Sequence, residues 1–189
     1  MSAAQTRRTR ADAVRSRERI LTAAREAFAE EGVAASLEKI AQRAGVGSAT
    51  LHRHFAGRGA LAEAVLHDRV DALCAQARCL SADPDPGAAL QSWLRAVVEH
   101  SNSFRGLAVL LSGKETAHHD RIRSAGAELL LKAQGSGDAR DDVTISELLQ
   151  LANGIAVATE RSRDRAADAD RLLNLVITGV RPHSREKPG

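Results

Sequence analysis

The sequence is poor in aromatic residues. Among 189 residues only Phe28, Phe55, Phe104 and Trp93 carry large rings, and tyrosine is absent. That scarcity speaks against a pocket built on ring stacking. Four prolines leave long stretches without a helix breaker. Two cysteines, Cys74 and Cys79, stand five positions apart. On a helix that spacing separates them by about 140° around the axis, so they can neither pair nor form a metal-type couple. Two reduced, partly buried thiols are the plain reading, and a redox switch is the alternative. No apolar run reaches the length of a membrane span, and the N-terminus has no hydrophobic leader. The expectation is a soluble, cytoplasmic protein without a membrane partner. No stretch alternates with period two, so no sheet is expected.

What is present is aliphatic. Hydrophobic residues make up 43% of the chain, mostly Ala, Leu, Val and Ile. That is enough for a core without staples, and Ala and Leu favour helix. The formal net charge of +3 is unevenly spread. Residues 1–58 hold eleven basic groups, ten Arg and Lys39, against six acidic ones, a net of +5. The remainder is net −2. One end is suited to face a polyanion and the other is not.

The first ten residues contain Arg7, Arg8 and Arg10 and little that is apolar, which reads as a flexible basic arm or a solvated tail. From about Asp12 to Glu31, Ile20, Leu21, Ala24, Ala27 and Phe28 recur at helical spacing, and Gly32 ends the run. Ser36 is placed to cap a short helix whose inner face is Leu37, Ile40, Ala41 and Ala44. Glu38 suits the positive end of its dipole. Gly45 stops that helix, and another begins near Gly47 or Ser48 and reaches Phe55, with Leu51 and Phe55 inward. Gly57 and Gly59 precede a helix over 60–80. Further helices are expected near 87–102, 104–112, 120–133, 143–162 and 165–180, separated by breaks at 81–87, 113–120 and 134–142. The tail 181–189 is polar and reads as frayed. The fold expected is all-α, with about nine helices.

Two short helices joined by the tight turn Ala44-Gly45-Val46 form a helix-turn-helix pattern. Glycine allows the reversal, and Ala41 allows close approach. Leu51 and Phe55 lock the second helix, leaving its outer face free for the major groove.

At these residues the chain resembles the TetR family of bacterial regulators. The likeness runs through Arg19-Glu-Arg-Ile-Leu-Thr-Ala-Ala, Phe28-Ala-Glu-Glu-Gly32, Ile40-Ala-Gln-Arg-Ala-Gly-Val46, Thr50-Leu-His-Arg-His-Phe55 and Ala60-Leu61, in order and without gaps. The resemblance implies that Ser48, Ala49, His52 and Arg53 face the groove. It implies phosphate contacts from Thr50, His54 and Arg58, with Lys39 a weaker candidate. Three positions depart from the family pattern. Gly47 stands where Ser usually caps the recognition helix, at a cost of roughly a few tenths of a kcal/mol. His52 stands where Tyr is usual, a shorter, titratable side chain that can still donate to a phosphate or base and leaves the operator preference open. Arg58 replaces Lys, a swap that preserves a phosphate contact.

The resemblance further implies that residues 1–58 form a DNA-binding domain and that 59–189 form a helical domain for effector binding and dimerisation. The helix near 143–162 carries Leu148, Ala152, Ile155 and Ala156, and the one near 165–180 carries Leu172, Leu173, Val176, Ile177 and Val180. Each is too apolar to stand alone. Together they form either a four-helix seam between two copies or the core of one. Trp93, Leu94, Val97, Phe104, Leu107 and Leu111 are candidates for a small-molecule effector pocket or for plain core. His118-His119-Asp120, with His100, invites a metal reading, but neighbouring His on a helix diverge, and a polar loop capping the helix after Asp120 is the simpler alternative.

The expected function is a ligand-responsive repressor that binds a pseudo-palindromic operator as a homodimer. An architectural DNA-coating protein is a second class, and the acidic balance after residue 58 gives it no continuous basic track. An enzyme is a third. No Gly-rich phosphate loop, metal-ligand pattern or ordered Ser/His/Asp set supports it, so no catalytic residue and no cofactor is assigned.

Overall fold

From Ala3 the chain runs through Ala, Gln, Arg and Glu with no Pro or Gly until Gly32, and it forms one helix, α1 (Ala3–Glu31). The computed structural model describes the backbone of residues 3–104 and 115–181, and the side chains of 11–32, 34–101 and 117–181. Eight α-helices and one 3-10 turn lie among the described residues, with no strand. After α1 come α2 (Leu37–Arg43), α3 (Ser48–His54), α4 (Arg58–Leu80), α5 (Pro86–Phe104), α6 (Glu115–Gly135), α7 (Ile145–Thr159) and α8 (Arg165–Val180). The ninth expected helix, 104–112, falls almost wholly on 105–114, outside the described residues.

Two boundaries differ from expectation. The stretch read as a flexible arm is helical from Ala3, because good helix formers with no breaker extend α1 backwards. Asp120 does not cap a helix after a polar loop. It lies inside α6, where it pairs with Arg123 one turn on, at 2.8 Å.

The described residues divide into two compact units, one through Asp68 and one comprising Arg69–Asn102 and the chain from Thr116 onward. In the first, Ile20, Leu21, Ala24, Ala27 and Phe28 of α1 are buried with Ile40, Ala41, Leu51, Phe55, Leu61 and Val65. Arg43 on α2 reaches Glu30 on α1 at 3.0 Å, and Arg25 reaches Asp68 at 3.2 Å. These exposed pairs each contribute at most about 1 kcal/mol, so burial dominates.

The second unit is built around Trp93. Its ring is fully buried, and its indole N–H donates to the Leu73 carbonyl at 3.1 Å. A Cβ at Gly126 on α6 would stand 2.4 Å from the Trp93 ring, so the helix can pass there only without a side chain. Leu94, Val97, Leu129, Leu130, Leu148, Ala152 and Leu173 complete this core. Thr144 and Glu147 form a reciprocal capping box on α7, and Asp164 caps α8. Arg95 on α5 pairs with Asp170 on α8. Both thiols are free, Cys74 buried and Cys79 exposed. No described helix is long and apolar enough to cross a membrane.

Candidate DNA-binding surface

The turn between α2 and α3 is fixed by backbone bonding first. Val46 N–H donates to the Ala41 carbonyl and Gly45 N–H to the Gln42 carbonyl, both at 3.0 Å. These are the paired bonds that close a helix through a left-handed residue, and Gly45 takes that conformation at φ +63°. Two carbonyls of the turn remain, and Arg19 on α1 satisfies both. Its guanidinium donates to Ala44 O, at 2.8 Å from Nε, and also to Gly45 O. A second arginine of α1, Arg17, lies over the Phe55 ring at 5.4 Å from its centre. Phe55 is itself buried and closes α3 by donating its N–H to Leu51 O at 2.9 Å. The short helix α3 is thus held from behind at both ends.

Its outer face is open. Ser48, Ala49, His52 and Arg53 are exposed and share one side of α3, opposite the buried Leu51. Thr50 and His54 are half-buried on its flanks, as is Arg58 at the start of α4. Gly47 caps α3 in an extended conformation without a side-chain bond. Lys39 is exposed on α2 and lies 3.5 Å from Glu31. The eight residues named from sequence therefore fall on α2, α3 and the first turn of α4.

Glu38 is the one acid in this neighbourhood whose setting is specific. Ser36, whose Oγ caps α2 by accepting from Lys39 N–H, donates its own hydroxyl proton to Glu38 Oε2 at 2.8 Å. The Ser36 bond and Glu38's own backbone hold its carboxyl below the usual range against slight desolvation, helped by nearby His52 and Arg58. Glu38 is thus a fixed negative charge beside the positive groups of the surface.

Sequence reasoning missed Arg17 and Arg19 as supports. Arg19 opens the family-like stretch, but its target lies 25 residues away, and nothing local announces the contact.

A family model described as bacterial regulatory proteins, tetR family, matches residues 20–65. A second, described as the C-terminal domain of SbtR-like transcriptional regulators, matches residues 85–182. A TetR transcriptional regulator from Streptomyces coelicolor is 38% identical, with 89% of this chain and 99% of that one covered at a TM-score of 0.79. The chain belongs to the TetR family. A TetR regulatory protein from Mycobacterium vanbaalenii is 32% identical, covering 92% and 99% of the two chains at a TM-score of 0.72. The ketosteroid transcriptional regulator KstR2 of Mycobacterium tuberculosis shares the fold at 22% identity and a TM-score of 0.63, with 88% and 95% covered. No curated protein matches the chain. TetR-family proteins are transcriptional regulators rather than enzymes, and this chain is a DNA-binding transcriptional regulator.

The remaining sequence-predicted residues lie in the second unit. Trp93, Leu94 and Val97 are buried on α5, and Phe104 ends that helix. Leu107 and Leu111 lie outside the described residues. Leu148, Ala152, Ile155 and Ala156 of α7, with Leu173 and Ile177 of α8, are buried within the single chain. Leu172, Val176 and Val180 are half-buried. The strongly exposed apolar residues of these helices are others: Leu151, Val157 and Leu175, at 46%, 47% and 62%.

Proposed function

We propose that this TetR-family regulator is a cytoplasmic, ligand-responsive repressor that binds a pseudo-palindromic operator as a homodimer. The observation that carries the reading is the exposed outer face of α3, with His52 and Arg53 projecting from a helix that Arg17 and Arg19 hold from behind. Residues 1–58 read the DNA, and residues 59–189 bind the effector and the second copy. Arg53 and His52 contact base edges with Ser48 and Ala49, while Thr50, His54, Arg58 and Lys39 grip phosphates and set register.

The proposed dimer seam lies on α7 and α8. Leu151, Val157 and Leu175 stand exposed there, with Leu172, Val176 and Val180 partly so. The buried members of the expected set, Leu148, Ala152, Ile155, Ala156, Leu173 and Ile177, support those helices from the inside. A symmetric seam presents two copies of α3 to successive turns of the duplex. An effector bound among the helices that carry Trp93, Leu94, Val97, Phe104, Leu107 and Leu111 favours a spacing that misfits the operator. Its coupling energy is about 1–3 kcal/mol.

Footprinting on the DNA beside the protein's own gene tests the reading. Two protected half-sites are expected, with Leu175→Asp giving monomers that protect neither. A single protected half-site bound equally well by the monomeric variant would overturn the dimer.

A further inference from the structure

α1 is longer than its packing requires. Its buried face begins at Ile20, and from Ala11 to Arg19 every residue is exposed except Ser16, which is half-buried. The helix nevertheless reaches back to Ala3. Residues 3–16 carry it about 21 Å past its packed part, at 1.5 Å per residue. Polar all round, such a segment gains nothing from a core, and alone it is a marginal helix.

Its charge is largely of one sign. Between Ala3 and Arg19 stand six arginines and two acids, a net of +4, and no acid precedes Asp12. The helical register arranges these arginines. Arg17 and Arg19 lie about 160° apart around α1 and meet opposite ends of α3. Arg17 lies over the ring of Phe55, which closes α3, and Arg19 holds the Ala44 and Gly45 carbonyls ahead of it. α1 therefore crosses behind α3. Farther back the pair recurs, with Arg10 seven residues before Arg17 and Arg8 eleven before Arg19. Each is about 20° round the helix from its counterpart. Arg7 stands one turn before Arg10. The two flanks that hold α3 thus run on, as arginines, beyond it.

Position and composition choose the partner. Val14 is the one large apolar residue of the segment, so it has no apolar face for a membrane. It belongs to the same compact unit as α3. A duplex lying on the outer face of α3 supplies a dense row of phosphates on either side of the bases being read.

We infer that Arg7, Arg8 and Arg10 form a second DNA contact, binding backbone phosphates that flank the bases read by α3. This rests on the reading of DNA by α3. The contact is independent of sequence, and it adds affinity and register rather than discrimination.

Fluorescence anisotropy of the full chain over a series of salt concentrations tests this. The probes are a duplex from the DNA flanking the protein's own gene and an unrelated duplex. The variant Arg7→Gln with Arg8→Gln and Arg10→Gln is expected to bind both duplexes about tenfold more weakly. Its slope of log affinity against log salt falls by about 0.9 for each arginine engaged. Its melting temperature stays that of the parent, because all three positions precede the packed part of α1. Arg161→Gln with Arg163→Gln and Arg165→Gln removes the same charge from the second unit and leaves the slope unchanged. A parent that binds, with the α1 variant equal to it in affinity and slope, removes this inference alone and leaves a solvated tail. An equal fall in slope for both triple variants overturns it as well, since net charge and not contact would then be the cause. Loss confined to the gene-flanking duplex also overturns it, because the arginines would then read bases. A parent that binds neither duplex removes the DNA-reading role of α3 and this inference with it.

Discussion

Arg19 and Gly45 are fitted to each other. The guanidinium of Arg19 donates to the carbonyl of Gly45, and a Cβ added at Gly45 would stand 2.8 Å from the same nitrogen. The contact ties α1 to the turn that aims α3.

Gly45→Ala should therefore fail twice over. It forces a side chain into a left-handed backbone, at about 1–2 kcal/mol, and it pushes the Arg19 guanidinium off its acceptors. Arg19→Ala leaves the Ala44 and Gly45 carbonyls to solvent and is expected to cost about 1–3 kcal/mol. Urea unfolding checks both. A Gly45→Ala protein as stable as the parent would contradict the geometry.

Glu38→Gln should tighten DNA binding. Glu38 is an exposed negative charge beside His52 and Arg58, on the surface that meets phosphate. Neutralising it is expected to raise affinity roughly two- to fivefold for operator and unrelated DNA alike, with the gain shrinking in high salt. Fluorescence anisotropy at two ionic strengths measures it. A gain confined to one sequence would instead make Glu38 a base reader.

His100 makes stability depend on pH. Burial, then Arg69, His119 and His118, lowers its pKa from 6.5 to about 4. Between those values the unfolded chain binds a proton that the folded chain refuses. The contribution is full above the unfolded value and declines as pH falls, losing in all about 3 kcal/mol by the time the folded group protonates. Denaturant melts from pH 7 to pH 5 should show the loss begin, and His100→Gln should flatten that part of the slope. Equal slopes in parent and variant would exclude His100 as the cause.

Gly126→Ala tests the core of the second unit. The added methyl meets the Trp93 ring and Ile145, and overpacking of this kind costs about 1–3 kcal/mol. Trp93 is the one tryptophan in the sequence, so its emission should shift to the red as the indole is displaced. Unchanged emission would mean that the ring has room.

The DNA-reading half was legible in the sequence because its signals are local. Ser36 caps three residues ahead, Gly45 marks its own turn, and Leu51 and Phe55 declare the inner face of α3 within one turn. What was not legible depends on contacts between distant segments. Arg19 and Arg17 look like surface arginines until α1 is laid behind the turn. His100 and His118 are separated by a break and feel one another electrostatically only after the chain has folded. The apolar character of α7 and α8 was plain from composition. Which side each presents outward depends on the packing, and it falls to Leu151, Val157 and Leu175.

The most direct test of the account is a gel-shift of the purified protein against the DNA flanking its own gene, at two salt concentrations, beside Arg53→Ala. The account predicts discrete retardation of that DNA over unrelated sequence. Arg53→Ala should weaken it by about 1–3 kcal/mol, with little loss on unrelated DNA. Equal retardation of every sequence by parent and variant would contradict it and leave a DNA-coating protein in its place.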